Sequence, residues 1–185
     1  MASAFAHAAA GAALWPLFRT RSAPRFTWAI GAVLATLPDL DVIGFRYGIA
    51  YNAPLGHRGL THSLFVALMW GAIAAWMCAR TWTEPRAQLQ LAGYLVLALA
   101  SHGILDAMTT GGLGVAFFAP VDNTRYFFPW RPIAVSPIGI RPFFTARGVA
   151  VLANEARWVG LPCVLLAGLG AWARRRPVDQ RVRAV

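Results

Sequence analysis

Lysine is missing from this chain, and acid is scarce. All 17 basic residues are arginines, only 7 residues are aspartate or glutamate, and charged side chains make up 13% of the 185 residues, about half the share usual in soluble domains. Hydrophobic residues reach 58%, and the mean hydropathy is +0.52. A soluble domain of this length has too little interior to hide so much apolar surface, so lipid has to cover the rest. The composition predicts an all-α fold, a polytopic membrane helical bundle, and the length suits one domain.

Other absences narrow the class. The 2 cysteines, Cys78 and Cys163, each lie inside an apolar run and read as buried free thiols rather than as a disulfide or a metal pair. The net charge is +10, yet the arginines form neither a basic motif nor one amphipathic face. They flank apolar runs, as membrane-bordering charge does, so no nucleic-acid partner is expected. The first apolar run has no basic n-region and carries His7, which favours a retained helix over a cleaved signal peptide. No internal repeat or low-complexity tract is present.

Five apolar stretches remain, over residues 2–18, 26–37, 63–79, 87–108 and 158–173. A membrane-spanning helix needs about 20 residues, with about 17 as a lower limit. The third and fourth stretches are expected to span. The first and fifth are marginal, and the second is short unless it runs on past Asp41 to Phe45. That gives about four to five membrane-embedded helices. Residues 109–150 differ, with Gly111, Gly112, Gly114, five prolines and a run of aromatics. Interior prolines forbid one continuous helix here, and the aromatics suggest a Gly/Pro/aromatic loop in the membrane interface, a belt or a lid. Arg125 and Arg131 within it are expected to anchor on lipid phosphate. Residues 1–173 read as one membrane-embedded domain and 174–185 as a basic cytoplasmic tail.

Alternating the five spans tests orientation. With the C-terminus inside, the short inner segments hold Arg19, Arg21, Arg25, Arg80, Arg86, Arg174, Arg175, Arg176, Arg181 and Arg183. The longer outer segments hold Arg46, Arg58, Arg125, Arg131, Arg141, Arg147 and Arg157. Short loops are the ones the positive-inside rule counts, so N-out, C-in is favoured. On that topology His7, Asp39, Asp41, His57, His62, His102 and Asp106 all fall on the outer face.

All four histidines and three of the seven acids thus converge. His102 and Asp106 are four apart on a helix and share a face. Asp39 and Asp41, two apart, would converge in an extended segment and diverge on a helix, and Pro38 favours an extended or capping turn at Leu37. Gly59 can make a turn between His57 and His62, and Thr61 is expected to cap the third helix. Taken singly, each residue has a plainer explanation: a core histidine, a helix cap at Asp39, an Asp106–Arg58 pair. Ionisable groups at membrane depth are costly, however, and together they point to metal. Imidazole with carboxylate suits zinc, iron, manganese or nickel. Seven donors exceed one four-coordinate ion and suit one to two divalent ions, zinc leading, with a bridging carboxylate. Asp39 or Asp41 would bridge the ions or orient water. Arg58 is either a partner of a carboxylate or a clamp for a substrate anion.

At these residues the chain resembles a family of bacterial inner-membrane, metal-dependent hydrolases of the YdjM type. The resemblance rests on His7, on Leu37-Pro38-Asp39-Leu40-Asp41, on Gly56-His57-Arg58-Gly59-Leu60-Thr61-His62-Ser63-Leu64, and on Gly93-Tyr94, Ser101-His102, Asp106, Thr109 and Gly112. It covers roughly residues 5 to 135. Val42 departs from it, since members often carry histidine there. The resemblance implies a helical fold similar to zinc-dependent phospholipases C, which also set a His-x-x-x-Asp pair on a helix. The expected function is a membrane-bound metal-dependent hydrolase, with Asp39, Asp41 and Arg58 catalytic, acting as a phosphoesterase on a lipid or lipid-linked phosphate. The alternative is a metal-binding or metal-transporting membrane protein without hydrolytic chemistry. Bis-histidine haem leaves the three aspartates unexplained.

Overall fold

Uncharged apolar runs with few prolines become helices in the computed structural model, which describes residues 1–19, 24, 26–80 and 84–175. Helix α1 (Ala4–Phe18) starts at Ser3, whose hydroxyl accepts the Ala6 N–H. Helix α2 (Thr27–Leu34) runs on through a 3₁₀ helix, Leu37–Tyr47, which stops at Gly48 in the left-handed region. A short 3₁₀ turn, Leu60–His62, precedes α3 (Leu64–Ala79), and α4 (Pro85–Ala107) follows. After an irregular segment come α5 (Ile140–Phe143), α6 (Ala146–Glu155), a π-helical turn (Ala156–Gly160) and α7 (Leu161–Arg175). No strand occurs among the described residues, only two isolated bridges, Thr109 to Ile133 and Val115 to Tyr126. The fold is an all-helical membrane bundle.

Thr27–Tyr47, Pro85–Ala107 and Ala146–Arg174 are long and apolar enough to cross a membrane, while the apolar helices Ala4–Phe18 and Leu64–Cys78 are shorter. This corrects several expectations. The second stretch does continue past Asp41, because Pro38 sits in the first turn of the 3₁₀ helix, where its missing N–H costs nothing. Asp39 and Asp41 therefore lie on a helix and not in an extended turn. The third stretch makes a helix of 16 residues, about 24 Å long against a hydrocarbon core of about 30 Å. The fifth begins near Ala146, inside the segment expected to be loop, since the last proline before it is Pro142. The tail beyond Arg175, with Arg176, Arg181 and Arg183, lies outside the described residues, as do Arg21 and Arg25.

Helix α4 is the axis of the bundle. Its buried face runs Ala87, Leu91, Tyr94, Leu95, Ala98, Leu99, His102, Gly103 and Asp106, a spacing of three and four that keeps one stripe inward. The stripe is apolar for four turns and ionisable in the last. Tyr94 donates to both the Gly11 and Trp28 carbonyls (3.0 and 3.1 Å), tying α1 and α2 to α4. At the other end, Ala2, Ala6, Ile133 and Val159 form a second apolar cluster. Between these two cores, α1 and α3 begin, the Thr27–Tyr47 helix passes and α4 ends, so their polar residues meet.

Candidate metal centre

His7, one turn into α1, is fully buried and stacks on His102 with ring centroids 3.7 Å apart. Its Nε2 stands 3.4 Å from Asp106 Oδ1 and 3.8 Å from Asp39 Oδ2. His102 Nδ1–H donates to the Ala35 carbonyl (2.7 Å), which leaves the Nε2 lone pair facing the cluster. That Nε2 lies 3.4 Å from Asp39 Oδ1. His62 Nε2 closes the group, 2.9 Å from His102 Nε2 and 3.6 Å from both Asp39 Oδ1 and Asp106 Oδ2.

Asp41 is set apart. The 3₁₀ twist turns it away from Asp39 and onto His57 Nδ1 (2.7 Å), the Thr61 hydroxyl (2.6 Å) and His62 Nδ1 (3.2 Å). It orients both imidazoles, so that His57 Nε2 and His62 Nε2 face inward. Thr61 does not cap α3; Ser63 does, accepting the Val66 N–H at 3.1 Å. The physical reason is reach: Thr61 sits in the 3₁₀ turn before the cap, with Asp41 beside it.

Arg58 is wholly buried, its Nε 3.0 Å from Asp106 Oδ2, its other nitrogens donating to Thr109 Oγ1 and the Gly111 carbonyl, both at 2.9 Å. The guanidinium is a partner of a carboxylate. Its backbone adopts φ 64°, a conformation costing a non-glycine residue about 1–2 kcal/mol, and this aims the side chain at Asp106. A Cβ on Gly112, itself at φ +92°, would stand 2.6 Å from an Arg58 terminal nitrogen, so only glycine closes this side.

Sequence reasoning passed over two contributors, Ala2 and Glu155, and gave a third, Arg125, another role. Ala2 N–H donates to Asp106 Oδ1 (2.7 Å), a contact between residues 104 positions apart. Glu155, buried where α6 meets the π turn, accepts the Ser3 N–H (2.6 Å) and its hydroxyl, and so fixes the first turn of α1 that carries His7. Arg125 gives its guanidinium to the His57, Tyr51 and Ala53 carbonyls (2.7, 3.0 and 3.1 Å), bracing the loop before His57 instead of reaching outward. Arg131 lies over the Phe127 ring, 4.6 Å from its centroid. A buried glutamate in an apolar helix was the one legible signal among these.

Two donor groups result. His7, Asp39, His102 and Asp106 offer ligand atoms all within 4.8 Å of one another, as do Asp39, His57 and His62; Asp39 belongs to both. Both nitrogens of His7, both oxygens of Asp39 and His57 Nε2 are buried with no hydrogen bond among the described residues, a costly state for polar atoms unless something else binds them. The 3.4 Å gaps from His7 to Asp106 and from His102 to Asp39 are long for hydrogen bonds. They match the roughly 3.3 Å edge of a tetrahedron with metal–ligand bonds of about 2.0–2.1 Å. These buried His/Asp groups could hold a metal ion. Burial opposes charge on His62, yet the surrounding carboxylates of Asp106, Asp39 and Asp41 raise its pKa to about 10, so the pocket draws positive charge even onto a histidine.

Fold and site together define a multi-pass helical membrane protein with a buried His/Asp centre at one end of the bundle. The YdjM inner membrane protein family matches residues 1–177, and the chain belongs to that family. It is similar to the inner membrane protein YbcI of Escherichia coli (strain K12), 40% identical over 152 residues, which cover 82% of this chain and 86% of that one. No solved structure matches.

Proposed function

We propose that the protein is a metal-dependent hydrolase of the bacterial inner membrane, a phosphoesterase acting on a lipid or lipid-linked phosphate at the outer face. The observation that carries this reading is Asp39, shared by two donor groups with both carboxylate oxygens free of hydrogen bonds. The chain provides for one to two divalent ions, zinc foremost, given its nitrogen and oxygen donors. Bound there, such ions supply Lewis acidity, which acidifies water and offsets charge on a phosphoryl oxygen.

The residues divide the remaining tasks. His7, His102 and Asp106 bind on one side, His57 and His62 on the other, with Asp39 between. Asp41 holds His57 and His62 in orientation, and its oxygens are engaged. Orienting water, which either aspartate could have done, therefore falls to Asp39. Arg58 neutralises Asp106 and steadies the loop at Thr109 and Gly111 instead of clamping a substrate anion. The buried apolar surroundings keep bulk water out and strengthen every charge interaction inside.

Metal-loaded protein in lipid nanodiscs should release product from phospholipids or lipid phosphates and stop doing so with chelator. Elemental analysis that finds no ion after reconstitution with each divalent metal removes the proposal entirely. Bound ion without product from any phosphate or acyl lipid leaves a metal-handling protein. Activity on acyl esters alone keeps the hydrolase and removes the phosphoesterase.

A further inference from the structure

Beside the metal centre an apolar groove of about 400 Å³ opens between the Thr27–Tyr47 helix and α3, with Leu99 of α4 among its walls. Val66, Trp70, Ile73 and Met77 line it from α3, and their spacing of four, three and four makes one stripe of that helix. Over those residues α3 rises about 16 Å, half of a hydrocarbon core about 30 Å thick. The groove is thus about as long as one leaflet is deep. Gly71, on another face of α3, packs against Val96 of α4, so the stripe is left free. Trp70 and Met77 remain 52% and 63% exposed. The one polar side chain in the lining, Thr61, stands at one end, with Pro38 also in the wall. Thr61 precedes His62 and binds Asp41; Pro38 precedes Asp39. That end of the groove thus lies one residue in sequence from each of two donors, Asp39 and His62.

We propose that this groove is a chain subsite of the metal centre, taking one hydrocarbon tail of a phosphate-headed membrane lipid whose head group lies at Asp39 and His62. Apolar walls along a membrane-embedded helix accept hydrocarbon and repel water. The single polar end fixes which part of the lipid faces the ions. The proposal deepens the hydrolase reading and rests on it for the head group, while occupancy of the groove is measured without turnover.

The experiment uses metal-loaded full-length protein in phosphatidylcholine nanodiscs doped with a phosphonate analogue of phosphatidic acid, inert to phosphoesterases, bearing a mid-chain diazirine. A diacylglycerol with the same tail is the control. After photolysis, labels are mapped by peptide mass spectrometry. The phosphonate should label Trp70, Ile73 and Met77 several-fold more than exposed Leu165 and Leu169 of α7, and the diacylglycerol should label all of them evenly. Ile73→Trp, which fills the groove, should abolish the enrichment. Leu68→Trp, on the same helix outside the groove, should preserve it and show that an added tryptophan is tolerated. Even labelling by the phosphonate, or equal enrichment with both probes, overturns the subsite. Product release with even labelling would sink the groove and spare the hydrolase. Enrichment without product release from any lipid would do the reverse.

Discussion

Asp39 and Asp41 stand two residues apart, yet each serves a different purpose, which separate substitutions should expose. Asp39 belongs to both donor groups, so Asp39→Asn should strip most of the bound metal and reduce any turnover by orders of magnitude. Among the described residues, Asp41 bonds to the far nitrogens of His57 and His62 and to the Thr61 hydroxyl. Asp41→Asn should keep the stoichiometry and weaken affinity by about 10–100-fold, the usual effect of losing a residue that orients a ligand. Elemental analysis and chelator competition distinguish the two, and equal losses would mean that the division is wrong. His62 adds a proton test. Its raised pKa, about 10, keeps it protonated at neutral pH without metal, whereas a ligand must be deprotonated. Loading should therefore release a proton, and apparent affinity should climb with pH until about 10, then level off. Calorimetry in buffers of different ionisation heats reads this directly; heats independent of buffer would contradict it. Arg58→Met leaves Asp106 without its cation, and losing one partner of a buried pair costs about 3–5 kcal/mol. Thermal unfolding with chelator should show that loss, and added divalent metal should recover part of it.

At the scale of elements, the helix that presents a ligand is fixed by one that presents none. Glu155 holds both the backbone and the hydroxyl of Ser3, and Ser3 caps the helix bearing His7. The π turn immediately after Glu155 adds a residue to the local turn, a distortion that often marks functional positions. Glu155→Ala should leave Ser3 unbound, loosen the first turn of α1 and weaken metal binding through His7, with Glu155→Gln milder because an amide oxygen still accepts the Ser3 N–H. A cobalt-loaded protein whose visible spectrum is unchanged by Glu155→Ala would show that Glu155 does not position His7. The link joins residues 152 apart in sequence, and that separation explains why it was illegible there. The apolar runs disclosed the helices, and the one-sided placement of His7, Asp39, His62, His102 and Asp106 disclosed where polar groups gather. What stayed hidden was decided by local twist or tertiary reach. Pro38, expected in an extended or capping turn, instead begins a 3₁₀ helix. Thr61, the expected cap of α3, binds Asp41, and the cap falls to Ser63. Arg58 had two partners open to it until Thr109 and Gly111 closed around it.

For the whole molecule, the site itself constrains how the chain crosses the membrane. Asp39 and His62 flank the loop before α3, and His102 and Asp106 end α4. Because these residues meet, the connection between α3 and α4, near Arg80 and Arg86, must lie at the opposite end of the bundle. His7 puts the start of α1 at the site, leaving Arg19 at the far end. Glu155, about a third of the way along the Ala146–Arg174 helix, lies at Ser3, while Arg174 bonds to the Pro16 carbonyl near the end of α1. Arg19, Arg80, Arg86, Arg174 and Arg175 thus share one end, joined by short loops, and the metal centre occupies the other. At the site end two of the arginines are already engaged, Arg58 by Asp106 and Arg125 by three carbonyls, which lessens the free positive charge there. Short arginine-rich loops stay in the cytoplasm, so the donor groups should face outward. A C-terminal fluorescent protein should glow, and a C-terminal alkaline phosphatase should be inactive. A cysteine placed at Val121, 96% exposed in the loop over the site, should react with a membrane-impermeant maleimide in spheroplasts without permeabilisation. An inactive fluorescent fusion, an active phosphatase and a Val121→Cys variant labelled only after lysis would together turn the molecule over and put its substrate on the cytoplasmic side.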